Sequence, residues 1–149
     1  MTEHIIELNS SHLPQMAELF KSAFAGEPWN DDWSDSTQLM EYIKDISGAR
    51  NALNFGLLTD GKLTAISIGS LRHWWEGTNY NIEEFCVAPE HQGKGTGSRF
   101  MELIEQEARK RGAAGIFLQT DNDKPSYRFY LKNGFNVLGA HVSLFKPIG

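Results

Sequence analysis

The sequence predicts an α/β fold in which a mixed sheet of about seven strands is combined with about four helices. Apolar residues recur with strand-like and helix-like periods in turn along the chain, which is the first observation behind this prediction. No repeat, low-complexity tract or Pro/Ser-rich linker interrupts the 149 residues, so a single domain covering residues 1–149 is expected. Hydrophobic residues make up 40 % and charged residues 22 %, as in ordinary globular proteins.

The first two predicted elements are a strand at residues 4–8 and a helix that ends at Gly26. Ser10 or Ser11 can cap this helix, because a serine hydroxyl accepts a hydrogen bond from an amide of the first turn. Pro14 lies in that first turn, where a proline is tolerated. One face of the helix carries four apolar side chains at helical spacing, namely Leu13, Met16, Phe20 and Phe24.

A second helix is predicted after a loop at residues 26–33. Ser34 or Ser36 is its expected cap, and Gly48 is its stop signal. Its apolar stripe consists of Leu39, Ile43 and Ile46.

A hairpin and a fourth strand follow. Strands two and three, residues 55–59 and 63–71, flank Asp60-Gly61, which is the strongest short hairpin signal in the chain. Strand four, residues 80–87, stops at Pro89 because proline cannot donate to a strand ladder.

The last third of the chain begins with a long helix from about Gly95 to Arg111. A short apolar strand is predicted at residues 115–119, and a short helix ends near Gly134. Two final strands are predicted at residues 135–138 and 142–145, which complete the seven.

The segment between strand four and the long helix carries most of the functional information. Its glycines stand where a helix begins, so several backbone N–H groups can point one way and hold a pyrophosphate. A Walker loop needs Ser or Thr after Gly-Lys, but Lys94 is followed by Gly95, and a dinucleotide fingerprint needs Gly or Ala where Ser98 stands. The alternative is a glycine-rich helix entry that binds nothing.

Gln92, Gly95 and Gly97 match the pyrophosphate-loop pattern of the GNAT family of N-acetyltransferases, and the sequence resembles that family. A second match lies at residues 129–135, Phe-Tyr-Leu-Lys-Asn-Gly-Phe, which is similar to the family's Phe-Tyr-x-x-x-Gly-Phe segment. The resemblance covers roughly residues 4–145. It implies the GNAT-like acyl-CoA N-acyltransferase fold, with acetyl-CoA as the donor.

The resemblance also implies how the coenzyme is held. Strands four and five splay apart in this family, so that the pantetheine arm enters between them and pairs with the backbone of strand four. The implied coenzyme-binding residues are Phe85, Cys86, Val87, Gln92, Gly93, Lys94, Gly95, Thr96, Gly97, Ser98, Asn122, Asp123 and Ser126. Asp123 departs from the family, which usually has Asn there. A carboxylate can accept a hydrogen bond from a pantetheine amide but donates none.

Two adjacent carboxylates are candidates for the base that deprotonates the acceptor amine. An alkyl amine with a pKa of about 10.4 is almost fully protonated at pH 7, so a base would help it to react. On a regular strand Glu83 and Glu84 face opposite sides, and alternation puts Glu83 on the side that the resemblance assigns to the acceptor. Glu83 is therefore favoured, although a bulge would give the role to Glu84. The alternative is that both are solvated or ion-paired.

The resemblance places Tyr130 at the family's general-acid position, where a phenol can protonate the leaving thiolate. The alternative is a tyrosine that packs between helix and sheet. By the same resemblance, the backbone N–H of Val87 is a candidate donor to the oxyanion.

Acceptor recognition in this family usually involves the loop after the first helix and the connection between strands three and four. Trp29 and Trp33 stand among aspartates in that loop, and aromatic faces beside carboxylates suit an organic cation. Equally, the tryptophans could anchor the loop and the aspartates could cap the second helix. Trp74 could line the acceptor pocket or a dimer interface.

Charge and composition limit the partners. A formal net charge of −5 argues against nucleic acid, and no apolar run approaches the roughly 18 residues of a membrane span. The N-terminus lacks the pattern of a signal peptide, so a cytoplasmic location is expected. Neither the five histidines nor the one cysteine shows metal-ligand spacing, so no metal is expected.

The sequence therefore predicts direct acetyl transfer to a primary amine of a small molecule, with aminoglycoside-, polyamine- and amino-acid-like acceptors all open. The alternatives are peptide or protein amines as acceptors, a non-catalytic acyl-CoA sensor, and a regulatory protein that binds another nucleotide. Both a monomer and a homodimer are compatible with the sequence.

Overall fold

A computed structural model of the protein describes residues 2–149. The chain divides into two compact units, Met1–Gln119 and Thr120–Gly149. In the described residues, the first unit contains a five-stranded sheet with three α-helices, and the second contains one α-helix.

The strands are arranged in the order in which they occur in the sequence. They are β1 Glu3–Leu8, β2 Ala52–Thr59, β3 Lys62–Trp74, β4 Gly77–Val87 and β5 Gly115–Phe117. β1 to β4 pair antiparallel, whereas β5 runs parallel to β4. The parallel pair requires a crossover, and the helix between β4 and β5 supplies it. The sheet is mixed, as the sequence predicts.

The helices are α1 Leu13–Ala25, α2 Ser36–Ser47, α3 Thr96–Lys110 and α4 Pro125–Lys132. The predicted apolar faces of α1 and α2 belong to one hydrophobic cluster with the sheet residues Ile66, Ile68, Cys86 and Ala88. On α3, Phe100 and Ile104 are fully buried, and the Phe100 ring stacks on Phe85 of β4 at 5.6 Å. Successive strand residues point to opposite faces, so Phe85 and Cys86 meet different helices.

The β2–β3 hairpin has the predicted turn. Asp60 and Gly61 both have positive φ angles, 50° and 82°, and Thr59 pairs with Lys62 across the turn. Positive φ at both central residues is the type I′ geometry, whose twist matches that of the flanking strands.

The predicted serine caps are wrong at both N-terminal helices. The Asp35 carboxylate caps α2 by accepting hydrogen bonds from the backbone amides of Thr37 and Gln38, both at 3.1 Å. Before α1, the side chain of Asn9 accepts a hydrogen bond from the amide of Ser11 at 2.9 Å and caps a short 3-10 turn. In each case an Asp or Asn oxygen reaches the orphan amides of the turn, which is the common capping chemistry.

The two final strands predicted at residues 135–138 and 142–145 are also wrong, so the described sheet has five strands rather than about seven. Their alternating apolar residues give strand propensity, but a strand also needs a ladder of backbone hydrogen bonds to a neighbour. This segment has no strand; it contains a turn in which the His141 amide donates to the Leu138 carbonyl at 3.0 Å. Its large side chains are exposed, including Leu144 and Phe145.

Over residues 2–149 the helices are all too short or too polar to traverse a lipid bilayer.

Candidate active site

A gap opens beside β4 at its C-terminal end. β4 and β5 share three residue pairs, the last of which joins Asn81 to Phe117. β5 ends there, whereas β4 continues to Val87. At Cys86 and Val87 the β5-side backbone edge of β4 therefore pairs with no described strand, so an extended ligand could pair with it. A ladder that ends at Asn81 is compatible with the expected divergence of strands four and five.

The predicted pantetheine residues lie at this end of β4. Phe85 packs towards α3, and Cys86 is buried in the cluster under α1 and α2. Burial raises the pKa of the Cys86 thiol well above its ordinary value, and the nearby Glu84 carboxylate raises it further. The thiol is therefore protonated at neutral pH and unsuited to nucleophilic attack. What β4 offers a ligand here is its backbone.

The predicted pyrophosphate residues form one turn at the start of α3. Gly93 and Gly95 adopt left-handed φ angles of 75° and 78°, and Gly95 is the N-cap of the helix. Within residues 2–149, the backbone amides from Gly93 to Ser98 donate to no protein acceptor. A turn with several such amides at a helix N-terminus is suited to a diphosphate.

Two side chains fix this turn to the sheet. The Gln92 side-chain amide donates a hydrogen bond to the Val87 carbonyl at 2.9 Å. Arg99 donates from Nε and Nη2 to the Glu3 carboxylate, at 2.8 and 3.0 Å, and from Nη1 to the Lys94 carbonyl at 3.0 Å. The Arg99 guanidinium lowers the pKa of Glu3 below its ordinary value.

Sequence reasoning did not identify Arg99. Its spacing was a usable signal, because residues four apart lie on one helix face and helical side chains lean towards the N-terminus. An arginine four residues after Gly95 is thus directed back over the glycine turn.

β4 contains a bulge at the two candidate bases. Ile68 of β3 pairs with Glu84, but the next residue, Gly69, pairs with Ile82, so Glu83 is the extra residue. The regular alternation that favoured Glu83 is therefore wrong, and the bulge alternative describes the strand. Glu83 is exposed and lies 3.9 Å from Arg72.

The signal for this bulge was Gly69. A glycine inside an apolar strand often marks a bulge or a close backbone approach.

Glu84 lies in an environment that shifts its ionisation to neutral pH. The Tyr42 hydroxyl of α2 donates a hydrogen bond to Glu84 Oε2 at 2.5 Å. Burial raises the pKa of Glu84 to about 7; the hydrogen bond from Tyr42 opposes this, and the nearby carboxylates of Glu83 and Asp31 add to it. A carboxyl group with this pKa can exchange protons near neutral pH.

The loop tryptophans make packing contacts. Trp33 stacks on Tyr42 at 5.5 Å between ring centroids and contacts the edge of Phe20 at 5.2 Å. Trp29 contacts Phe24 at 5.3 Å. These contacts and the Asp35 cap are the ones expected if the tryptophans anchor the loop and the aspartates cap α2.

Trp74 lies apart from these residues. It pairs with Gly77 at the tip of the β3–β4 hairpin and is 59 % exposed. Glu84 is seven residues along β4 from Gly77, or about 23 Å at the usual rise of a strand. The described strand therefore does not bring Trp74 beside Glu84.

The second unit holds the remaining predicted residues. Tyr130 on α4 is buried, and its ring makes T-shaped contacts with Phe129 and Phe135 at 5.3 and 5.4 Å. Ser126 shares a hydrogen bond of 3.0 Å with Thr120. Asn122 and Asp123 are exposed in the turn before α4.

Comparison with known proteins adds independent information. Residues 13–135 match the family described as the Acetyltransferase (GNAT) family. The chain is 33 % identical over 88 residues to a streptothricin acetyltransferase from Streptomyces lavendulae, a match that covers 58 % of this chain and 46 % of that protein. It is 29 % identical over 133 residues to the ribosomal protein bS18-alanine N-acetyltransferase of Escherichia coli K12, covering 89 % of this chain and 80 % of that protein.

The fold is similar to a solved structure described as a possible acetyltransferase from Clostridium difficile 630. The TM-score is 0.81 at 16 % identity, and the match covers 100 % of both chains. This likeness and the mixed sheet confirm the predicted α/β fold. The aligned part of the chain spans about half the length of the Streptomyces relative, 46 %.

Proposed function

The chain belongs to the acetyltransferase (GNAT) family, and on that premise we propose that it transfers the acetyl group of acetyl-CoA directly to a primary amine. The observation that carries the proposal is Glu84, a carboxyl group whose pKa lies at about 7, on the strand that ends beside the gap and the glycine turn. A base that titrates near neutral pH can accept a proton from the acceptor amine and release it again.

The donor would be held by backbone groups. The free amides from Gly93 to Ser98 suit the diphosphate, and the edge of β4 at Cys86 and Val87 suits the amide-containing pantetheine arm. Because backbone groups would make these contacts, most side chains of the turn would not need to contact the coenzyme. Asn122, Asp123 and Ser126 stay predicted coenzyme contacts, from the family resemblance alone.

The proposed step forms one bond and breaks one. The amine nitrogen attacks the thioester carbonyl carbon, and Glu84, directly or through water, takes the proton that the nitrogen loses. The Val87 amide would stabilise the oxyanion of the tetrahedral intermediate. The C–S bond then breaks and the thiolate takes up a proton, so that the products are an acetamide and the coenzyme thiol; Tyr130 stays the donor that the resemblance implies.

A small cationic amine is the acceptor that we favour. Asp31 lies near enough to Glu84 to raise its pKa, and the chain carries a net charge of −5, so the field at the site attracts ammonium groups. The streptothricin acetyltransferase relative acts, by its name, on a small molecule.

The second candidate acceptor is the N-terminal amine of a protein. It is supported by the similarity to the bS18-alanine N-acetyltransferase, which covers 89 % of this chain.

The proposal is tested by thiol release from acetyl-CoA in the presence of four amines: streptothricin, an aminoglycoside, a polyamine and a peptide that begins with alanine. We expect saturable release with at least one of them, and a loss of about 100-fold in kcat/KM for Glu84→Gln. Glu83→Gln, the neighbouring change, should lose much less.

Calorimetry with coenzyme A separates the remaining outcomes. Binding without thiol release from any amine would indicate an acyl-CoA sensor, and the absence of binding at millimolar coenzyme would overturn the proposal. Release with the peptide alone would support the protein-amine candidate.

A further inference from the structure

We propose that Tyr42 is a positioning residue for Glu84, which holds one carboxylate oxygen so that the other is left to accept the proton of the acceptor amine. This inference rests on the proposed function. Its geometric basis is the hydrogen bond of 2.5 Å from the Tyr42 hydroxyl to Glu84 Oε2. Among the described residues, Glu84 Oε1 makes no hydrogen bond.

Tyr42 is itself held in place by its neighbours. Its ring stacks on Trp33 at 5.5 Å and lies 5.7 Å from the ring of Phe20 on α1. The next residue on α2, Ile43, is completely buried in the core. Packed aromatic rings allow few rotamers, so the hydroxyl stays at one position relative to β4.

Tyr42 remains a donor throughout the working pH range. Burial raises the pKa of its hydroxyl well above the ordinary value, and the hydrogen bond to Glu84 raises it further. A protonated phenol donates a hydrogen bond, and it stabilises the ionised form of the carboxyl that accepts it.

The neighbouring carboxylates act on Glu84 in the opposite direction. Glu83 on β4 and Asp31 in the loop after α1 both raise the pKa of Glu84. Arg72 on β3 lies 3.9 Å from Glu83, and the Cys86 thiol next along β4 stays protonated. Tyr42 is thus the neighbour that favours the ionised carboxylate.

The first test is the pH profile of kcat/KM for Tyr42→Phe, which keeps the ring and removes the hydroxyl. Without the donor, the carboxyl should hold its proton to higher pH, so the acidic limb should move up by about one pH unit. At pH 7 the variant should be about fivefold slower, and at pH 9 it should recover to within about threefold of the wild type.

Tyr80→Phe is the matched control. It removes a fully buried hydroxyl, one that bonds to Ser67 at 2.8 Å and to the Leu53 carbonyl at 3.0 Å rather than to Glu84. It should lower the melting temperature and leave the acidic limb unmoved. If Tyr42 had only a structural role, Tyr42→Phe would be slow at every pH, and that result would contradict the inference.

The second test does not depend on turnover. In protein labelled with carbon-13 at the glutamate carboxyl carbons, the NMR signal lost in Glu84→Gln identifies Glu84, and its titration should move to higher pH in Tyr42→Phe. If the wild type releases thiol and both the limb and the titration stay unchanged, the inference is overturned. If the wild type releases no thiol with any of the four amines, the proposed function fails, whatever the NMR titration shows for Tyr42 and Glu84.

Discussion

Gly69 on β3 faces the carbonyl oxygen of Asn81 on β4 so closely that a Cβ on Gly69 would overlap it. The close approach lies beside the bulge at Glu83, where the register between the two strands shifts. Glycine therefore permits the strand geometry that turns Glu84 towards Tyr42.

We predict that Gly69→Ala lowers the free energy of unfolding by about 1 to 3 kcal/mol, because the backbone of β4 must shift to admit the methyl group. Displacement of the bulge should also lower kcat. Gly56→Ala on β2 is the matched control, since the atoms nearest to its Cβ belong to the side chains of Leu8 and Leu63 rather than to the backbone. Urea unfolding and turnover measure both effects, and a Gly69→Ala protein with wild-type stability and kcat would contradict this account of the bulge.

The ionisation of Glu84 predicts a dependence of stability on pH. Folding raises the pKa of Glu84 from the ordinary 4.5 to about 7, so between these values the folded chain keeps a proton that the unfolded chain has lost. The stability supplied by the neutral carboxyl is complete below pH 4.5 and is lost as the pH rises to 7.

At pH 8, the free energy of unfolding measured in urea should therefore be higher for Glu84→Gln than for the wild type, by on the order of 3 kcal/mol. At pH 4.5 the two proteins should have nearly the same free energy of unfolding. The more stable variant would be the less active one, as expected if Glu84 is the proposed base and its burial costs stability. Glu83→Gln, which alters an exposed carboxyl, should stay within about 0.5 kcal/mol at both pH values. An equal effect of Glu84→Gln at pH 4.5 and pH 8 would exclude this explanation.

The sequence was sufficient to predict the family and most of the helices and strands, because these depend on local signals. The Asp60-Gly61 turn, the apolar faces of α1 and α2 and the glycine turn before α3 were all predicted from spacing and turn chemistry. The family expected from two short motifs is confirmed by the match of residues 13–135.

What the sequence did not reveal depends on contacts between distant residues. The hydrogen bond from Tyr42 to Glu84 joins residues 42 positions apart, and that from Arg99 to Glu3 joins residues 96 positions apart. The choice between Glu83 and Glu84 depended on the strand register, which periodicity cannot supply when a bulge interrupts it. The two final strands failed for a related reason, since alternation indicates propensity and not a pairing partner.

The contact between Arg99 and Glu3 predicts a specific effect on coenzyme affinity. Arg99→Lys keeps the charge but loses the planar fork that spans the Glu3 carboxylate and the Lys94 carbonyl. The glycine turn should become less ordered, so the Kd for coenzyme A should rise about tenfold while kcat at saturating acetyl-CoA changes by less than about threefold.

Arg111→Lys is the control for this experiment. Arg111 also joins α3 to β1, with its Nη2 atom 3.5 Å from Glu7, but it follows the C-terminal end of the helix. Calorimetry should give it a wild-type Kd. The double variant of Glu3→Gln and Arg99→Lys tests whether the two residues act together. If its loss of coenzyme affinity equals the sum of the losses in the two single variants, Glu3 and Arg99 do not act as a unit.

The left-handed glycine that caps α3 offers a test that separates backbone strain from coenzyme binding. Gly95 has φ of 78°, and Gly61 in the β2–β3 turn has φ of 82°, so alanine at either position should reduce stability by about 1 kcal/mol. A Cβ at Gly95 would also lie 3.0 Å from Arg99 Nη1, whereas a Cβ at Gly61 would meet nothing within 4 Å. Melting curves should therefore show similar losses for the two variants, and calorimetry should show weaker coenzyme A binding for Gly95→Ala alone. Equal coenzyme affinity in both variants would mean that the diphosphate does not contact the amides of this turn.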